Sequence, residues 1–543
     1  MTMQSEFADS HHELANTKQD EVDLEDLKTT DHSHIENICT KPSGHNLASQ
    51  EPATNRWELW SWYAYSFGNN SMGPLSYAPL IFQSVLYQAG FAAGNPAQSC
   101  GDPTVPCVVH FGNSVININT VVLMSNGIAF AFQAFILIFL GSMSDYGSAK
   151  RWVLLTSTLV CWASQFGFLS ATEPSRYRAI TGMYILSSFS YNICTIFWLP
   201  AFPLLARNTA PILSAREKLW AGEISEKKYE SIAAAERNRL TNRGYGWLSV
   251  GQVFLLVIAL GAAYGLHADD SAEKNLRAAL VIIAVSAGLW ILCGTPWFFL
   301  EKQRAPPLPK GESYFSVGAK ATWQVMKHTS NLRQTWIFLI AYFLITDGCS
   351  TTAQLYVLCQ NSIVSFSTTT STKLYIVQSV SNAAGIVAFW LIQTYWKVRT
   401  KVMFTAVVVI LVVLAVWGCI GIGTTRFGLH QVWEVWAFSV AVCLFSTPYF
   451  ALAASFLSDL CPKGREVTFF ALFGLVSRAT SWIGPIICSV IIDRTGSIWT
   501  GFPFALGLTV VGFVLLCFVD VEAGQRQCEE WTLNDPTLNQ PKP

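Results

Sequence analysis

Charge is what this chain has least of. Asp, Glu, Lys and Arg make up 13% of its 543 residues, and 35 basic side chains balance 35 acidic ones. An ordinary soluble domain carries about 25% charged residues, so a basic face for nucleic acid or an acidic-partner surface is not expected. The 14 cysteines include no C-x-x-C pair. Most lie in apolar runs, where a thiol packs as a small hydrophobe, so neither a metal site nor a cofactor is expected. G-x-S-x-G, H-E-x-x-H, a P-loop and a dinucleotide fingerprint are all missing, which argues against an enzyme and against nucleotide-driven pumping. No histidine falls inside an apolar run, which excludes an imidazole relay at membrane depth. His110, His267 and His430 fall between runs, where they would titrate in an acidic compartment.

What the chain has in excess is hydrocarbon: 51% of residues are hydrophobic and 13% aromatic. A single soluble core that greasy would leave large apolar patches in water. A helix needs about 20 apolar residues to cross roughly 30 Å of hydrocarbon, and twelve stretches qualify. They lie near 61–87, 117–140, 152–172, 179–204, 244–266, 277–300, 333–359, 372–395, 401–423, 431–456, 467–492 and 502–520. None alternates in polarity as barrel strands do, so the expected fold is an all-α membrane protein with about twelve transmembrane helices.

Lys and Arg set the orientation. With the N-terminus in the cytosol, 27 of the 35 fall on the cytosolic face and 7 on the other, and Arg478 lies within a span. Both termini are therefore expected in the cytosol. Residues 1–55 read as a disordered cytosolic tail, 56–300 as a six-helix bundle with a cytosolic loop at 205–243, and 301–332 as a central linker. A second six-helix bundle covers 333–520, and 521–543 form a cytosolic tail. The 205–243 loop is charged and is expected to hold an exposed amphipathic helix over 214–240; its cytosolic partners are unknown.

The loop 88–116 carries Cys100 and Cys107 and has no Lys or Arg. On an oxidising face the two form a candidate disulfide. The sequon Asn69-Asn70-Ser71 falls inside the first span, so an unglycosylated face is expected.

A charge at mid-membrane marks a functional site or a pair. Asp347 and Arg478 stand about 21 and 18 Å along their spans from the same side, at 1.5 Å per residue, and are candidates for one polar centre. Three readings stay open: a structural ion pair, a substrate clamp in which Arg478 holds a carboxylate, and proton coupling at Asp347. Neutral polar residues at depth include Asn69, Asn70, Asn126, Gln133, Asn192, Gln252, Gln354, Gln378 and Asn382. Each needs a partner in another helix or in a wet cavity. Gln378 and Asn382, four apart, share a helix face. The segment 68–74, Gly-Asn-Asn-Ser-Met-Gly-Pro, has the composition of a helix unwound where backbone meets substrate, or of a packed proline kink.

The connection 141–151, with Gly141, Asp145, Gly147, Lys150 and Arg151, resembles the signature loop of the major facilitator superfamily. It departs from that pattern in the Asp145-to-Gly147 spacing and in Tyr146 replacing a basic residue. Asp145 with Lys150 and Arg151 is a candidate conformational latch. The departure is similar to the autophagy-related protein 22 family of fungal vacuolar effluxers. So are Arg56 to Phe67, the Arg243-Gly-Tyr-Gly-Trp run, Thr295 to Arg304, Ile345-Thr-Asp-Gly348, Phe469 to Pro485, Asp493-Arg-Thr-Gly496 and Val519 to Arg526. That family often has Lys where this chain has Arg478. The resemblance implies a major-facilitator-like fold in two bundles and a multi-pass protein of the vacuole membrane. It also implies export of amino acids released by autophagic degradation from lumen to cytosol, with protons as a candidate coupling ion. The alternatives are a carrier of another small solute and a non-transporting membrane sensor or scaffold.

Overall fold

The apolar stretches become helices because lipid offers no partner for backbone N–H and C=O groups, which must bond within the segment. The computed structural model describes residues 52–100, 106–112, 114–140, 149–198, 205–302, 332–396, 399–461, 473, 476 and 482–534. Each expected stretch carries helix. The first holds α1 (Arg56–Gly68) and α2 (Ala78–Ala89), then come α3 (Ile118–Leu140), α4 (Ala149–Gly167) and α5 (Tyr177–Trp198). After a short α6 (Ala210–Trp220) follow α7 (Glu226–Gly265) and α8 (Ala272–Leu300). The second half comprises α9 (Arg333–Ile363), α10 (Thr368–Trp396), α11 (Thr400–Ile420), α12 (Val432–Asp459), α13 (Ile483–Thr495), α14 (Phe502–Cys517) and α15 (Val521–Asn534). Among the described residues, eight helices are long and apolar enough to cross a bilayer. The rest are interrupted, shorter or richer in hydroxyl and amide groups.

Three elements depart from the expectation. Loop 88–116 is not irregular: it folds into an antiparallel sheet of β1 (Phe91–Ala92), β2 (Asn95–Ser99), β3 (Cys107–Phe111) and β4 (Ser114–Asn117), in the order β2-β1-β3-β4. The fold is thus mainly rather than wholly α. Val108 and Val109 of β3 are buried, Gly94 and Gly112 turn the sheet's hairpins at positive φ, and Cys100 and Cys107 are joined in a disulfide with Cα atoms 5.6 Å apart.

Second, the helix expected over 214–240 is split in two: α6 ends at Trp220, and α7, which starts at Glu226, runs on into the next span. Ser225 caps α7 by accepting from Lys228 N–H, and the helix runs 40 residues, or about 60 Å at 1.5 Å per residue. That is roughly twice the hydrocarbon thickness.

Third, the C-terminal tail contains α15, which docks on α9. Cys528 Sγ donates to the Leu460 carbonyl at 3.3 Å, and Gln527 Oε1 accepts Gln334 N–H at 3.2 Å.

Within each half, long helices pair closely, α1 along α8 and α9 along α14. Gly348 makes the second pair possible, because a Cβ there would lie 2.2 Å from Thr509 Oγ1; small residues let helices approach where no hydrophobic force between helices exists in lipid. One core cluster runs through both halves, and an aromatic cluster around Trp62, Trp162, Trp198, Trp290 and Trp297 fills the first half.

Candidate functional site

The first transmembrane stretch does not continue as one helix. α1 stops at Gly68, Ser71 takes a left-handed conformation at φ 66°, and Met72–Tyr77 form a π-helical turn before α2 resumes. Local chemistry accounts for this. Pro74 has no N–H and crowds the preceding turn, while Asn70 offers its own Oδ1 to Met72 N–H at 3.2 Å in place of a helix carbonyl. Left-handed serine costs energy that a folded protein keeps mainly at functional positions.

Buried amides with unused hydrogen-bonding capacity surround the break. Asn69 and Asn70 are 2% and 1% exposed, yet Asn69 Oδ1 and Asn70 Nδ2 have no partner among the described residues. Gln165 on α4 and Ser286 on α8 close on Gly73, where a Cβ would lie 2.3 Å from Gln165 Oε1 and 2.8 Å from Ser286 Oγ. Gln165 Oε1 is likewise unpartnered, as is Gln133 Oε1 on α3. Each such group costs about 1–3 kcal/mol when left unpaired. The arrangement can therefore hold a polar solute, whose own donors and acceptors would complete these bonds.

Asp347 is buried at mid-length in α9 and accepts the Gly484 N–H at 3.3 Å. Gly484 opens α13, with Thr351, one turn beyond Asp347, against it. Arg478 and Asp145 lie outside the described residues. Gln378 donates to Gln360 Oε1 and Ser439 Oγ, both at 3.2 Å, and Asn382 Oδ1 accepts from Thr447 at 2.9 Å. The shared face of these two therefore bonds neighbouring helices of the same half. Asn126 accepts from the Tyr184 hydroxyl, and Asn192 turns back on its own helix to the Ser188 carbonyl. Lys150 is buried, while Arg151 donates to the Phe298 carbonyl at the end of α8, a bond within the first half rather than across to the second.

On the face opposite the start of α1 and the end of α14, the far face, the halves are clasped. Asn275 Nδ2 donates to the Phe366 carbonyl at 2.7 Å, and its Oδ1 accepts Thr368 N–H at 2.7 Å. Asn361 Nδ2 reaches Gln83 Oε1 at 2.7 Å, Tyr77 meets Thr372 at 2.8 Å, and Tyr375 donates to the Ser76 carbonyl at 3.1 Å. The sheet side is tied by Asn117 N–H to Asp493 Oδ1 at 3.4 Å and by Thr120 to the Ser489 carbonyl at 3.1 Å.

Sequence reasoning missed the clasp, because amide and hydroxyl residues about 100 to 380 positions apart carry no local pattern. It also missed Glu434, fully buried at the start of α12, where its carboxylate accepts from Trp417 Nε1 and from the N–H groups of Gly428, His430 and Gln431. There a signal existed: Gln431 and Glu434 form a capping box.

Comparison with known proteins agrees with this architecture. Residues 54–529 match the family described as vacuole effluxer Atg22 like. Autophagy-related protein 22-1 of Phaeosphaeria nodorum is 23% identical, over 89% of this chain and 94% of its own length. Autophagy-related protein 22-1 of Aspergillus niger is 24% identical over 78% and 77%. Among solved structures, a mutant of the nucleoside transporter NupG superposes with a TM-score of 0.51 at 12% identity, over 85% of this chain and 98% of that one; the likeness is one of fold. Helices fit for a bilayer, the transporter fold and a match over nearly the whole helical region lead to one assignment: this chain is a multi-pass membrane transporter and belongs to the Atg22-like vacuole effluxer family.

Proposed function

We propose that the chain is a twelve-span carrier of the vacuole membrane, with both termini cytosolic, that releases amino acids from lumen to cytosol by alternating access. The observation that carries this reading is the broken first helix. An amino acid presents an ammonium, a carboxylate and a side chain, and a helix opened at mid-membrane offers backbone groups together with the Asn69 and Asn70 amides to such a solute. Asp347 is the anionic partner for the ammonium, and Arg478 the cationic partner for the carboxylate. Gln378 and Asn382, bonded to neighbouring helices, position the second half. Asp145, Lys150 and Arg151 serve the cytosolic latch.

With cytosolic termini the far face is luminal. The clasped conformation is then the one closed to the lumen, from which solute leaves to the cytosol. An acidic lumen supplies a proton gradient, and Asp347 is the carboxylate in position to use it. The family description, which names a vacuole effluxer, supports the compartment and the direction.

A second reading, a membrane sensor or scaffold, is favoured by the extension of α7 beyond its span. Deleting 205–243 separates the two, since a scaffold would lose its function while solute flux persisted. The carrier reading is tested by competition in vesicles holding the purified chain. A free amino acid should displace labelled substrate, and its methyl ester should not. Equal displacement by the ester would remove the carboxylate clamp.

A further inference from the structure

Between the clasped halves, on the far face, lies a cleft of about 510 Å³, within the size range of small-molecule sites. Its walls come from both halves: Ser84 and Tyr87 on α2, Asp269 and Asn275 around the α7–α8 turn, and Phe366 and Ser367 between α9 and α10. The chemistry of the lining is lopsided. Asp269 is its charged side chain, and no Lys, Arg or His joins it among the described residues. The adjacent Asp270 is already engaged by Lys274, whose Nζ lies 2.7 Å away and holds the Asp270 carboxyl below its usual range. Asp269 receives a neutral donor, Ser367 Oγ at 3.2 Å.

The cleft also has an aromatic wall, Tyr87 and Phe366, with ring centroids 4.8 Å apart. Ser365 and Phe366 hold left-handed φ values of 52° and 56°. Non-glycine residues occupy that region at a cost of roughly 1–2 kcal/mol each. The strain falls on residues that line the cleft.

We propose that this cleft is a regulatory site for a small amphiphilic organic cation, an ammonium on an aromatic or apolar body, and that its occupant holds the far face closed. The ammonium pairs with Asp269, and its remaining N–H groups reach the hydroxyls of Ser84 and Ser367. The body lies against Tyr87 and Phe366, whose ring faces also attract the cation. A ligand that touches both halves binds best where they meet, so its differential affinity shifts the population toward the closed far face. An amine on that side therefore slows transport without occupying the broken-helix site. This holds whichever solute the carrier moves.

The test uses the purified full chain with phenethylamine as probe, and phenethyl alcohol and phenylacetate as its neutral and anionic counterparts. Phenethylamine should raise Tm; the alcohol should bind about 3- to 5-fold more weakly, the worth of an exposed ion pair, and phenylacetate should give no shift. Asp269→Asn, with its ligand-free Tm at the wild-type value to show that it folds, should weaken the amine by the same factor. Hydrogen exchange should slow on both walls, over 268–276 and 364–372. Equal binding of amine and alcohol, or full affinity in Asp269→Asn, would overturn the recognition. Protection on one wall alone would overturn the closing action, and no Tm shift with phenethylamine would overturn the site.

Discussion

Tyr77 and Thr372 stand 295 positions apart in the chain, and their hydroxyl oxygens lie 2.8 Å apart with both side chains sealed from solvent. Thr372 already donates to the Thr368 carbonyl at 2.7 Å, so Tyr77 is the donor in the shared bond. Tyr77 also ends the π-helical turn that follows the break in the first helix. One segment thus carries the candidate solute site and part of the far-face clasp, and a rearrangement at the break is felt at the gate.

Replacing Tyr77 by Phe removes that donor and little else. The expected loss is about 1 kcal/mol of closed-state stability, a roughly fivefold shift toward opening. Hydrogen exchange over 365–375 should accelerate by that factor. Unchanged exchange would mean that the bond does not hold the gate.

Gly484 has no room for a methyl group. A Cβ there would lie 1.8 Å from Thr351 Oγ1 and 3.2 Å from Asp347 Oδ1. Gly484→Ala should lower stability by roughly 1–3 kcal/mol, the usual cost of overpacking, seen as a fall in Tm. Adding Thr351→Ala should restore part of it, because the nearest clashing atom is gone. A double variant no better than the single would show that the backbone approach, rather than Thr351, sets the limit.

The disulfide between Cys100 and Cys107 closes a short loop, with a sequence separation of 7. Chain-entropy arguments value such a link at roughly 2–2.5 kcal/mol. Changing both cysteines to Ser should loosen the small sheet, read as faster exchange over 107–117, while the helices keep their protection. Loss of protection throughout would show that the sheet is needed to assemble the whole fold.

Cys528, under α15, is 6% exposed, and burial pushes its thiol up to about 11. It therefore stays protonated at neutral pH and should resist maleimide at pH 8 until the protein is unfolded in detergent. The shift has a stability counterpart. The folded pKa lies above the unfolded value of about 8.5, so its contribution is full below that pH and is lost as pH rises through about 11. Rapid labelling at Cys528 itself in the native protein at pH 8 would show that α15 does not cover it.

How much of this was legible beforehand follows from the range of the forces involved. Apolar length is a local property, and it put helix in each expected stretch. The break at Asn69 to Ser71 was one of two readings that the composition left open, unwound helix or packed kink, because Pro74 and the amides act within one turn. The four strands were not, since β1 is two residues long and register depends on pairing across the loop. α15 was read as tail because its anchoring depends on α9 and Leu460, far away in sequence. Gln378 and Asn382 were correctly placed on one face, but only the tertiary structure gives their partners, Ser439 and Thr447. Asp347 was conspicuous as a charge in an apolar run, whereas its contact with Gly484, 137 positions on, had no sequence signal.

The most direct test of the carrier reading is amino-acid efflux from vesicles loaded with a labelled mixture and containing the purified chain, with and without an acidic interior. The account predicts efflux that exceeds protein-free vesicles, rises with the inward-acid gradient and is lost in Asp347→Asn. No efflux above protein-free vesicles under either condition would contradict it.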